Sequence, residues 1–241
     1  MKLLEIYNIL NEISPFELQE KWDNSGLQVG SMDDEVNKVV LSIDVDEKLI
    51  DSLAQNTLLI THHPLIFGGL KALDFNQYPA NLLQKMVQKK ISNIAMHTNF
   101  DITHLNDYVA TEILGCPISS KDGFIAYCEV NEDFDTFAKK VALNLNLPVI
   151  KSVKCSEHIE KIALTTGSGA SLIKSIDADC FLTGDIKYHD AMEAKSLQLS
   201  LIDIGHFESE RFFGEILEKQ LKNLGLEVII ASSENPFTYI E

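Results

Sequence analysis

The chain has no CxxC pair, no cluster of lysine or arginine, and no apolar run near the roughly 18 residues that a bilayer crossing needs. Each absence excludes something. The four cysteines (Cys116, Cys128, Cys155 and Cys180) are scattered, which argues against a thiolate metal site and for reduced thiols used mainly in packing. With 20 basic against 36 acidic residues, the formal net charge is -16. Such a surface repels a phosphate backbone, so nucleic-acid binding is not expected. The segment "TGSGAS" (166–171) lacks the third glycine of a dinucleotide fingerprint, since Leu172 stands there. It reads as a tight turn from strand to helix; the alternative is a set of amides that cradles a phosphate. Glu5 and Glu12 interrupt "MKLLEIYNILNEI" and no small-residue cleavage site follows, so it reads as an amphipathic helix and not as a signal peptide. The expected location is the cytoplasm, with no membrane partner.

What is present is a chain of 241 residues, 45% of them hydrophobic, enough to bury one large core or two small ones. Helical and strand-like patterns alternate nearly throughout. The expected fold class is α/β: two similar α/β domains from a duplication, layered α/β/α with mixed sheets. "CPISSKD" (116–122) is the weak break, dividing the chain into a first half, 1–120, and a second half, 121–241. "KVVLSID…LLITHHP" in the first half is echoed by "KIALTTG…CFLTGDIKYH" in the second. Two βαβ units also look like this by default.

The apolar run "LLIT" leads directly into His62 and His63, and Pro64 follows. Adjacent side chains on a strand point to opposite faces, so two imidazoles share a target only if the backbone turns there. Pro64 favours that turn. In open α/β sheets ligands bind beyond the carboxyl ends of strands. Two more strand-like runs end alike. "ISNIAMHTNFD" delivers His97 and then Asp101; "LSLIDIGHFESE" delivers His206 and then Glu210. On a helical first turn the four-residue spacing places Glu210 beside His206. Imidazoles with carboxylates suit zinc, iron, manganese, nickel or cobalt. His62, His63, Asp101, His206 and Glu210, with or without His97, exceed what one closed four-coordinate site needs and suit two divalent metal ions that clamp an attacking water. All of this requires the strand ends to converge.

Other residues carry two readings each. Trp22, Asp23 and Asn24 are either a helix stop with a buried tryptophan and turn-forming Asp/Asn, or the rim of a pocket in which Asp23 or Asn24 orients water or substrate. Asp185, Lys187 and His189 in "TGDIKYHD" are either a helix cap and a solvated face, or a site in which His189 is a general acid or base and Lys187 meets an anionic substrate. Asp44 reads as a turn or cap, with support of the metal ligands as the alternative.

"KWDNSGLQVG", "THHPLIF", "HTNFD", "TGDIKYHD" and "GHFESE" closely resemble the GTP cyclohydrolase 1 type 2 homolog family, also called NGG-interacting-factor-like proteins. The resemblance runs from residue 21 to residue 210. It implies a dinuclear metal centre held by His62, His63, Asp101, His206 and Glu210, with Glu210 as the bridge and His97 supporting the ligands or moving a proton. It also implies two α/β domains of like topology, assembled as a homohexamer. Longer members carry a mid-chain insert that this chain is too short to contain. The implied activity is metal-dependent hydrolysis of a nucleotide-like small molecule; the alternative is non-catalytic metal storage, metal delivery or a ring-shaped scaffold.

Overall fold

The computed structural model describes residues 1–240. Among them run the strands β1 (Gly26–Val29), β2 (Lys38–Ser42), β3 (Thr57–Thr61), β4 (Ser92–Ala95), β5 (Ile118–Asp122), β6 (Ile125–Asp133), β7 (Lys151–Val153), β8 (His158–Leu164), β9 (Cys180–Thr183), β10 (Ser200–Asp203) and β11 (Glu227–Ile230). They form two mixed sheets, one in each of two compact units. Residues 1–100 and 212–234 make the first unit; residues 101–211 and the C-terminal residues from 235 make the second. These boundaries differ from the 120/121 division read from the sequence. The first sheet takes its last strand from far down the chain, because β11 pairs in parallel with β2. Just beyond it, the hydroxyls of Ser233 and Ser42 stand 3.2 Å apart.

The first sheet has the order β1-β4-β3-β2-β11, with β2, β3 and β4 parallel and β1 antiparallel to β4. The second has the order β5-β6-β8-β9-β10-β7, with β8, β9 and β10 parallel and β7 antiparallel to β10. Laying β7 to β10 over β1 to β4 gives one order and one set of directions: β1-β4-β3-β2 against β7-β10-β9-β8. A duplication produces this repeated plan. The echoed segments "KVVLSID" and "KIALTTG" fall on β2 and β8, the corresponding strands.

Apolar spacing makes the local structure. In the helix Leu3–Ile13, Leu3, Ile6 and Leu10 recur at helical intervals and are fully buried. Asp46 and Asp133 cap the helices Glu47–Ser52 and Phe134–Leu145 by accepting from the amides of Leu49 and Thr136. The first unit packs Val40, Leu59, Leu83 and Met86 into one core; the second packs Ile125, Ala163, Phe181 and Leu201. Each large apolar side chain so buried contributes about 1.5–3 kcal/mol.

Three strands escape the sequence reading: β1, β5 and β7. All three are antiparallel edge strands, short and mostly half-buried or exposed. With one face in water and one side unpaired, they carry no continuous apolar run. Helix bounds also differ. Residues 104–115 have helical spacing, and the helix they belong to runs over 98–113, including a π-helical turn Asp101–Leu105. Its first amide, Thr98, donates to the Asp23 carboxylate at 3.1 Å, a cap supplied from 75 residues away and invisible locally. The sequence from about 208 to 223 has the spacing of one helix, but the structure has two, His206–Glu210 and Phe213–Gln220. Only one 3₁₀ turn, Phe16–Leu18, forms in "SPFELQEKW".

All four cysteines are free, and three are buried. Burial pushes the Cys128 thiol up to about 12, and Cys180 further still. A raised thiol pKa leaves little thiolate near neutrality, and thiolate is the reactive form. Titration of the native protein with an aromatic disulfide at pH 8 is therefore expected to release at most one equivalent of thiol, from the half-buried Cys155, with the remainder released on denaturation. Rapid reaction of several thiols in the native protein would contradict this burial.

Candidate metal centre

β3 ends at Thr61, and the next two amides show how adjacent imidazoles face one region. The His62 amide donates to Ser42 O (3.1 Å) and the His63 amide donates to Ile43 O (3.0 Å). Successive amides of an extended strand point to opposite sides. Two in succession bonded to the end of β2 mean that the chain has turned. The Thr61 hydroxyl donates to His63 O across the turn at 2.9 Å, and Pro64 brings no amide that would need a partner. The His62 and His63 ring centroids are 5.0 Å apart, and His97, just past β4, lies 5.3 Å and 5.5 Å from them. These three histidines each offer one ring nitrogen, all within 4.8 Å of one another, a cluster able to hold a metal ion.

Each imidazole is oriented through its Nδ1. That of His62, fully buried, lies 2.9 Å from Met96 O. Nδ1 of His63 lies 2.7 Å from an Asp44 oxygen, and Nδ1 of His97 lies 2.8 Å from an Asp23 oxygen. A carbonyl or carboxylate only accepts, so Nδ1 carries the proton and donates. Nε2 is then the lone-pair edge that a cation takes. The Asp23 side chain is wholly buried. Burial pushes its carboxyl up, but the His97 ring, the Thr98 hydroxyl and the Asn24 amide outweigh burial and hold it well below the usual carboxylate range.

In the second unit, His206 opens the helix His206–Glu210 just past β10. Its Nδ1 lies 2.7 Å from Asp185 Oδ2, past the end of β9. Its Nε2 lies 3.1 Å from Glu210 Oε2, four residues on. With Nδ1 as donor, Nε2 and the carboxylate are two acceptors face to face, and only a second proton or a cation between them makes that contact favourable. Glu210 and Asp101 are both buried. Thr166 and Gly167 tie them together: the Thr166 hydroxyl lies 3.4 Å from Asp101 Oδ1, and a Cβ on Gly167 would collide with the Glu210 carboxylate and stand 3.7 Å from His206 Nε2. The "TGSGAS" loop thus backs the acids. Its Gly167 amide donates to Ser209 Oγ at 3.0 Å.

The chemistry of this donor set fits a divalent cation. Imidazoles held by acceptors at Nδ1, with the buried Glu210 carboxylate beside one of them, are a borderline-hard set for first-row metals.

Several roles differ from their simpler readings. Trp22 is exposed, not buried. Asp44 orients His63 while Asp46 does the capping; Asp185 orients His206. The Asn24 side-chain amide donates to Ile66 O at 2.6 Å and so fixes the 66–67 segment. Lys187 and His189 are exposed at the start of the helix Tyr188–Ser196. The His189 ring packs edge-on to Tyr188. Lys187 lines a cavity of about 410 Å³ with Lys151, Ile186 and Tyr188.

Because Asp44 acts through the imidazole and its side chain is largely exposed, Asp44→Ala is expected to weaken metal binding by about tenfold to a hundredfold and to leave the metal-free melting temperature nearly unchanged. Chelator competition and a thermal melt check both. Unaltered affinity would show that the contact orients nothing of consequence.

A family model described as Duf34/NIF3 (NGG1p interacting factor 3) matches residues 1–236. A GTP cyclohydrolase 1 type 2 homolog from Campylobacter jejuni is 53% identical over 240 residues, covering 99% of this chain and 100% of its own. A GTP cyclohydrolase 1 type 2 from Helicobacter pylori is 44% identical over 238 residues, covering 98% of each. Among solved structures, a Staphylococcus aureus hypothetical protein superposes with a TM-score of 0.87 at 27% identity over 100% of this chain and 99% of that one. Reduced HcgD from Methanocaldococcus jannaschii superposes with a TM-score of 0.83, also at 27% identity, over 95% of this chain and 97% of that one.

Proposed function

The chain belongs to the Duf34/NIF3 family, and from that premise we propose that it is a dinuclear metal-binding protein that acts as a metal-dependent hydrolase on a nucleotide-like substrate. The observation that carries the reading is the common treatment of four histidines: His62, His63, His97 and His206 all have Nδ1 engaged by an acceptor. Four imidazoles turned alike at strand ends leave Nε2 for a cation or a proton; His62, His63 and His206 serve the first and His97 the second. His62, His63, Asp101, His206 and Glu210 are the proposed ligands, with Glu210 shared. Chain connectivity supports their grouping. Asp101 follows His97 by four residues, and Phe213, three residues past Glu210, has its ring 5.3 Å from that of His62.

Two divalent ions from among zinc, iron, manganese, nickel and cobalt would supply Lewis acidity to polarise the substrate and acidify a water. The protein's own residues do the rest. Asp44, Asp185 and the Met96 carbonyl hold Nδ1 protons and thereby aim Nε2. His97, fixed by the buried Asp23, is placed to move a proton at Nε2, and His189 is a second proton carrier. Asp23 works through His97, and Asn24 works through the 66–67 segment. Lys187 meets an anionic group of the substrate. The names of the Campylobacter and Helicobacter relatives favour a purine nucleotide. Water then adds at the imidazole-ring carbon of the purine, the bond from that carbon to one ring nitrogen breaks, and a histidine protonates the nitrogen that leaves. We place the protein in the cytoplasm and, on family resemblance, as a homohexamer. Among the described residues no helix is long and apolar enough to cross a membrane.

The test is elemental analysis with anomalous scattering from crystals, then turnover on a nucleotide and phosphoester panel beside His63→Ala. Two ions per chain, with turnover abolished in the variant, is the expected result. Two ions with no turnover on any loading would favour storage, delivery or a scaffold, and an empty site would end the metal reading.

A further inference from the structure

Trp22 and Phe67 are 58% and 52% exposed, although the protein buries Phe100, Phe134, Phe137, Phe181 and Phe213 completely. Single exposed aromatics need no explanation. These two, however, are paired, and both border the imidazole cluster. Their ring centroids are 5.7 Å apart at a tilt of 46°. Trp22 lies 6.2 Å from His97 and Phe67 lies 6.0 Å from it, with ring planes crossing that of His97 at 76° and 71°.

Their placement is also fixed. Trp22 precedes Asp23, whose buried carboxylate binds His97, Thr98 and Ser25. Phe67 follows Ile66, whose carbonyl accepts from Asn24 Nδ2 (2.6 Å) and whose amide donates to Gln28 Oε1 (3.2 Å). The two ring-bearing segments are thus tied to each other through the main chain of residue 66. Backbone held in place before a ligand arrives lowers the ordering entropy lost when it binds.

We propose that Trp22 and Phe67 form the recognition wall for a planar nitrogen-heteroaromatic ring of the substrate, a specificity element that takes the base and not the phosphates. The inference rests on the nucleotide reading above and assigns its ring-binding residues. A flat π-face receives any flat ring. What selects a heteroaromatic over a plain apolar group is His97, whose imidazole stands edge-on in the same corner and, with its Nδ1–H donating to Asp23, presents Nε2 as an acceptor for an N–H of the base.

Trp22 is the only tryptophan in the chain, so intrinsic fluorescence reports on this wall alone. The experiment titrates the metal-loaded full chain with GTP, guanosine and adenosine, and with the base-free compounds ribose 5-phosphate and tripolyphosphate. Saturable quenching by the base-bearing compounds and none by the others is expected. Phe67→Ala should weaken nucleoside binding about tenfold, and so should Trp22→Leu when followed by calorimetry; Trp22→Tyr should restore most of the affinity. Both side chains are exposed, so the melting temperature serves as the control for folding. Absence of saturable binding by any base-bearing compound, equal binding of base-free compounds, or an unchanged Kd in Trp22→Leu would each overturn the proposal. Nucleoside binding through Trp22 with no turnover would defeat the hydrolase reading and leave the wall standing. Turnover of a substrate whose KM is the same in Trp22→Leu would do the reverse.

Discussion

Glu210→Gln is expected to strip the tightly held metal while leaving a folded chain. The substitution keeps the volume of a side chain that is only 2% exposed, so no cavity opens. It removes the negative charge and turns one carboxylate oxygen into a donor, which makes a favourable contact with His206 Nε2, now 3.1 Å from a Glu210 oxygen. The fold tolerates that exchange; a cation does not. Residues that only orient ligands are worth about tenfold to a hundredfold in metal affinity, and a ligand that is also the proposed bridge should exceed the upper figure. A ligand bound only by the native state adds about 2.7 kcal/mol at a hundredfold excess over Kd, or several degrees in Tm for a chain of this size. Wild-type protein should gain that increment on metal addition. Glu210→Gln should not, although its metal-free melt should be close to wild type. Full metal content in the variant after a chelator wash would remove Glu210 from the ligand set.

Gly167→Ala should damage both stability and metal binding, and Gly115→Ala shows why the two effects are separable. Both glycines sit in the left-handed region, at φ +60° and +67°, where a Cβ costs roughly 1–2 kcal/mol. A Cβ at Gly115 meets nothing within 4 Å; one at Gly167 meets the Glu210 carboxylate. Gly115→Ala therefore carries the backbone strain alone and should keep its metal. Gly167→Ala adds the displacement of a buried acid from its place beside His206, so the expected loss is at least as large in stability and reaches well past tenfold in metal affinity. Parallel denaturant melts and chelator competition on the pair of variants measure the difference. Equal metal affinity in the two would show that the loop does not back Glu210.

The strand ends explain why so much of the candidate site was legible in the sequence. His62, His63, His97 and His206 each follow an apolar run directly, and Asp101 and Glu210 stand four residues past a histidine. Those are short-range signals. The orienting acids are not. Asp44, Asp185 and Asp23 lie 19, 21 and 74 residues from the imidazoles they hold, and locally each reads as an ordinary turn or cap residue. Thr166 and Gly167 were visible as a turn, but nothing in "TGSGAS" says that its far side supports a carboxylate. Similar reasoning applies to the fold. Parallel strands β2, β3, β8, β9 and β10 are buried runs and plain to read, whereas β1, β5 and β7 become strands only because a neighbour offers them an edge. The return of residues 212–234 to the first unit is a long-range pairing of β11 with β2, which no window of local sequence encodes.

Asp185 binds His206 from a left-handed backbone, at φ 56°. Aspartate tolerates that region better than most side chains, and glycine rests there at no steric cost. Selection for durability alone would therefore prefer glycine at this corner, and Asp185→Gly would relieve strain and release the imidazole in one stroke. A screen that ranked variants by heat resistance would promote this change and discard the anchor of a ligand, so here a sturdier molecule would be a poorer one.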